Sequence, residues 1–96
     1  MIKHIVMWTL KNPADAASFK TQLDSCRNVV PGMGAFEVAT KTVALAGSCD
    51  VVLYSEFDSA AALAAYQVHP HHQAVAAALG LLRQSRVDMD YEVRGS

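Results

Sequence analysis

Apolar and polar positions alternate at the start of the chain, in IKHIVMWTL (residues 2–10). Ile2, His4, Val6, Trp8 and Leu10 share one side of the predicted strand, and Lys3, Ile5, Met7 and Thr9 the other. Both sides carry large apolar groups, a pattern unlike that of a sheet with one wet face. CDVVLYSEF (49–57) has the same character, with Val51, Leu53 and Phe57 set against Val52 and Tyr54. Between them, MGAFEVATKTV (33–43) alternates more weakly and predicts a further strand, followed by a turn at AGS (46–48). The closing RVDMDYEV (86–93) alternates strictly. It predicts a strand with Val87, Met89, Tyr91 and Val93 inward and Asp88, Asp90 and Glu92 outward.

Two stretches carry the helical period instead. Asn12-Pro13-Ala14-Asp15 reads as a helix start, with Asn at the N-cap, Pro at the first position and an acid in the first turn. Ala16, Phe19, Leu23, Cys26 and Val30 then form one buried stripe, and Pro31-Gly32 ends the helix. Asp58-Ser59 caps a second, alanine-rich helical region. The order is β-α-β-β-α-β, which predicts an α+β, ferredoxin-like domain over residues 1–96: a four-stranded antiparallel sheet with helices on one face. The other face, bearing Ile5, Met7, Val52 and Tyr54, would be bare in a monomer. An apolar face of this kind predicts a homodimer in which two sheets meet.

Ninety-six residues suffice for one domain, and 52% hydrophobic with 18% charged residues suits a packed core. A net charge of -1 and the lack of a basic run give no reason to expect nucleic acid. Cys26 and Cys49 stand without a CxxC pair and are read as reduced packing residues of a cytoplasmic protein. No secretory signal is recognised at the start. Residues 59–82 lack Asp, Glu, Lys and Arg, but Pro70, three histidines and two glutamines fall within them. A buried helical region is expected there, with no membrane span. The terminal Arg94-Gly95-Ser96 receives no role.

YQVHPHH (66–72) concentrates the candidate chemistry, holding three of the four histidines. In an unbroken helix Tyr66 and His72 would lie about 600° apart, on different sides. Pro70 cannot donate to the Tyr66 carbonyl, and it pushes His69 toward an extended conformation. This predicts a helix ending near Val68, a corner, and a new helix with Pro70 at its first position. His72 then sits in a first turn whose dipole disfavours imidazolium, as suits a general base. Tyr66 swings toward the same corner, and His4 reaches it from the first strand. Tyr66 has two readings: a hydrogen-bond donor to a substrate carbonyl, or a core residue with its hydroxyl at the rim. His69 serves to cap the corner or to line the pocket, and His71 is expected to face solvent. A metal set of His69, His71 and His4 can be drawn, but no HExxH or CxxC supports it, so no metal is expected.

The opening IKHIVMWTL, the Y-x-x-H-P-x-H stretch from Tyr66 to His72 and the closing VDMDYEV together resemble the stress-responsive A/B barrel (Dabb) family over about residues 1–93. The resemblance implies a dimeric α/β barrel with a pocket between sheet and helices. A plant member, a cofactor-free polyketide cyclase, is similar at the motif. Its catalytic tyrosine and histidine match Tyr66 and His72, and its first-strand histidine matches His4. Related dimeric barrels include cofactor-free monooxygenases acting on aromatic polyketides. The expected site is therefore His72, Tyr66 and His4 as catalytic groups, with Val6, Trp8, Phe19, Leu23 and His69 around a small apolar carbonyl or aromatic ligand, and no cofactor. A non-catalytic ligand-binding protein and a structural dimer are the alternatives.

Overall fold

The first strand becomes β1 (Ile2–Leu10), a central strand of a four-stranded antiparallel sheet in a computed structural model that describes residues 1–94. Gly95 and Ser96 lie outside the described residues. β2 (Met33–Thr40), β3 (Val51–Phe57) and β4 (Arg83–Glu92) complete the sheet in the order β2-β3-β1-β4. The helical segments are a 3-10 turn (Pro13–Asp15) and α1 (Ala16–Asp24), then α2 (Ala60–Val68) and α3 (Pro70–Gly80). This is the expected ferredoxin-like arrangement. The helix-side residues Val6, Trp8, Leu10, Leu53 and Phe57 are buried with Phe19, Leu23, Tyr66 and Leu79 in one core. Among the described residues, no helix is long and apolar enough to cross a membrane. Cys26 and Cys49 are free thiols.

The first helix is shorter than the stripe predicts. Asn12 caps the 3-10 turn through its side chain, which accepts from the Ala14 amide. α1 nevertheless stops at Asp24, and Asn28 adopts φ 58°, a left-handed conformation that asparagine tolerates. Cys26 remains fully buried, and Val29 and Val30 pack against the core from the irregular segment. The stripe reports burial correctly while the chain leaves the helix. Likewise β2 ends at Thr40, and residues 41–50 form a loop tied down by Asp50, whose side chain accepts from the Leu10 amide at 2.8 Å.

β4 corrects the sequence reading. Met89 pairs with Ile5, Val87 with Met7 and Tyr91 with Lys3, so these side chains lie on the sheet face away from the helices. Asp90 pairs with His4 and Asp88 with Val6, on the helix side. Alternation identifies two faces but not which one meets the helices; the register decides that. The correction enlarges the outer apolar face, where Ile5 and Tyr54, then Met7 and Val52, are also paired. Val87 and Met89 are 54% and 65% exposed there.

Gly32 fixes the entry to β2. Its φ is +88°, and a Cβ built on it would lie 2.9 Å from the Cβ of Ala62 in α2. Gly32→Ala would combine left-handed strain with overpacking, and is expected to cost about 2–4 kcal/mol in unfolding free energy by urea titration. A loss below about 0.5 kcal/mol would show that the segment relaxes freely.

Candidate active site

The proline break builds the corner as follows. Pro70 leaves the Tyr66 carbonyl without its usual donor, and the His69 amide takes it at 3.1 Å. His69 is extended (φ -61°, ψ 133°), and its Nδ1 caps α3 by accepting from the His71 amide at 3.1 Å. The Gln67 carbonyl, on the last turn of α2, meets His72 Nδ1 at 3.1 Å. A carbonyl only accepts, so this nitrogen carries the proton and neutral His72 keeps a lone pair on Nε2. The same break that turns the chain therefore sets the tautomer of His72.

Tyr66 projects from α2 into the core with no exposed surface. Its ring lies 4.4 Å from that of His72, centroid to centroid, and 6.4 Å from that of His4, edge-on. Its hydroxyl is buried and makes no hydrogen bond among the described residues. Cys26 stands beside it without hydrogen-bond geometry. Burial first, and then this thiol, push the phenol far above its ordinary range, so it stays a protonated donor. Burial lowers the pKa of His72; the Gln67 carbonyl opposes this, and the nearby His4, Arg86 and His69 reinforce it.

His4 is buried on β1, and its Nδ1 hydrogen-bonds Asp90 Oδ1 across the sheet. Its carbonyl accepts from Ser55 Oγ at 3.0 Å. A carboxylate accepts, so Nδ1 carries a proton and Nε2 is the ring nitrogen turned away from Asp90. Asp90 is the partner that the sequence reading turned outward.

His4, Tyr66 and His72 line one cavity of about 110 Å³ between the sheet and α3, with Val6, Trp8, Leu23 and Leu53. Val75, Ala76 and Leu79 of α3 complete the apolar wall, and Arg83 and Arg86 of β4 reach it from the sheet edge. Phe19 is not in the wall: it packs edge-on behind Trp8, 5.1 Å between centroids. His69 is spent on the α3 cap. His71 is exposed, its Nε2 2.8 Å from Ser25 Oγ. Among the described residues, no three His, Cys, Asp or Glu side chains gather as a metal site. The sequence did not place Asp90, the arginines or the α3 residues at the site. Only the i, i+4 repeat of Val75 and Leu79 offered a signal for any of them.

The profile of the Stress responsive A/B Barrel Domain matches residues 2–93. A dimeric protein of ferredoxin-like fold from Bacteroides fragilis is 27% identical, with a TM-score of 0.81 over 96% of this chain and 95% of that one. A Dabb family protein from Mesorhizobium loti is 23% identical (TM-score 0.79, 98% and 97% covered). SnoaB, a cofactor-independent oxygenase from Streptomyces nogalater, is 14% identical (TM-score 0.78, 99% and 94% covered). The last two likenesses show the fold alone. No curated protein gives a significant match.

Proposed function

Because the chain belongs to the stress responsive A/B barrel domain family, we propose that it is a homodimeric, cofactor-independent enzyme for a polyketide-like or aromatic carbonyl substrate, a cyclase or lyase. The observation that carries this is that a neutral imidazole of fixed tautomer and a tyrosine line one cavity, the tyrosine hydroxyl being buried without a hydrogen bond among the described residues. An unpartnered buried hydroxyl costs about 1–3 kcal/mol, a cost that a ligand carbonyl oxygen would relieve if the wall yields enough for it to reach the hydroxyl from the cavity.

In the proposed step, His72 Nε2 removes a proton from the carbon between two carbonyls. Tyr66 donates a hydrogen bond to the resulting enolate oxygen and keeps its proton. The enolate carbon bonds to a distal carbonyl carbon of the same chain, and the imidazolium returns the proton to the new alkoxide. His4, oriented by Asp90, presents a second imidazole at the wall. Assembly through the outer sheet face fits its apolar centre of Ile5, Met7, Val52, Val87 and Met89, and the Bacteroides protein of the same fold is a dimer.

The test incubates the protein with linear poly-β-keto thioesters and follows cyclised products by mass spectrometry. Expected is a rate at least about a hundredfold above the spontaneous reaction. The lowered pKa of His72 places the acid limb of kcat/KM below pH 6.5, the ordinary histidine value. Activity is full above that pH and is lost as pH falls through the lowered pKa. No acceleration with any chain length, together with no binding of these compounds, would remove the reading. Binding without turnover would leave a ligand-binding protein. The structural neighbour SnoaB is named as an oxygenase, and an oxygen-dependent quinone product would assign monooxygenation instead.

A further inference from the structure

We infer that the ligand of this pocket carries an oxyanion, a carboxylate or a phosphate, received by Arg83 and Arg86 at the cavity edge; this rests on the pocket being a small-molecule site. The strand register shows why both arginines are there. Residues three apart on a regular strand face opposite sides of the sheet. Here Arg86 stands opposite Trp8 and Arg83 opposite Leu10, with a register shift between Thr9 and Leu10. Gln84 is the additional residue, and both arginines thereby share the helix side and reach the cavity. A bulge that re-aims a side chain beside a site is a recurrent use of such irregularities.

The cavity wall also lacks a negative charge. Its lining contains two guanidinium groups, two imidazoles, one phenol and otherwise apolar side chains. Asp90 bonds His4 and is not in the lining. Arg86 is partly neutralised by Asp88 at 3.0 Å, and Arg83 has no ion pair among the described residues. The whole chain has a net charge of -1, so this local excess of positive charge does not reflect a basic protein. Two guanidinium groups beside an apolar cavity suit a compact apolar body with an anionic end, because a planar fork of donors matches carboxylate and phosphate oxygens. The space in the cavity, about 110 Å³, is somewhat below the roughly 150 Å³ of an engineered cavity that admits benzene. One ring or a short acyl chain is therefore the most it takes up, with the charged end outside the apolar space, toward the arginines.

The experiment titrates benzoate, phenyl phosphate and benzamide into the full-length protein by calorimetry. Expected is at least about tenfold tighter binding of one or both anions than of the amide. Arg83→Gln with Arg86→Gln should abolish that preference, weakening the anions at least about tenfold more than benzamide. Arg83→Lys with Arg86→Lys should retain part of it and controls for folding. The anion that loses more affinity in the Gln pair distinguishes a carboxylate from a phosphate ligand. Equal binding of all three compounds to the wild type overturns the oxyanion inference and leaves the pocket standing. An anion preference that survives the Gln pair overturns the assignment to these arginines. No binding of any compound overturns the pocket reading and this inference with it.

Discussion

His72→Ala is expected to lower turnover of a cyclising substrate by about a hundredfold to ten-thousandfold, the range for loss of a general base. His71→Ala, one residue away, should leave it near wild type, since that ring bonds Ser25 on the surface. Tyr66→Phe separates chemistry from packing. The hydroxyl has no hydrogen-bond partner among the described residues, so its removal should leave stability unchanged or raise it by up to about 1–3 kcal/mol. Turnover should fall by about a hundredfold, because the lost hydrogen bond forms to charge that develops in the transition state. Steady-state kinetics beside urea denaturation reads both effects. A Phe variant that is less stable and fully active would make Tyr66 a structural residue, and the enolate step would lose its donor.

The second large effect concerns assembly. Met7 and Met89 lie on the outer sheet face, on adjacent strands and next to Val52, Val87 and Ile5. Met7→Asp with Met89→Asp would bury two carboxylates from each protomer, without partners, wherever two such faces meet. The dimer should weaken by about a hundredfold or more, as expected when uncompensated charge is buried. Sedimentation velocity at micromolar concentration would follow the change from dimer to monomer. A wild-type protein sedimenting as a monomer, or a double variant with unchanged mass and thermal stability, would refute sheet-to-sheet assembly. Polar groups border this face, Lys3 over the Tyr54 ring and Tyr54 donating to Glu56. That matches an interface with an apolar centre and a polar rim.

The parts of the fold legible in the sequence were those governed by local rules. Alternation in residues 2–10 gave both faces of β1, and Pro70 gave the α2–α3 corner, because proline removes a donor wherever it stands. What escaped needed knowledge of neighbours. The aspartates of β4 read as a solvent-facing row, yet Asp90 meets His4 because the register sets residue 90 opposite residue 4. Arg83 and Arg86 share a side only through a bulge, and a spacing of three within a strand predicts the contrary. Phe19 belongs to the stripe of α1 and packs behind Trp8. A helical period says that a residue is buried without saying whether it meets a cavity or another side chain. The shortened α1 shows the same limit, since Cys26 keeps its burial after the helix has ended.

Trp8 lines the cavity and is the sole tryptophan of the chain. Light absorbed selectively by indole therefore reports from the site and from nowhere else in the protein. A ring or carbonyl entering the cavity would displace water or stack near this indole, changing its emission colour or lifetime. The protein thus contains its own optical probe, and a metabolite extract can be fractionated by its effect on that emission before any substrate is identified.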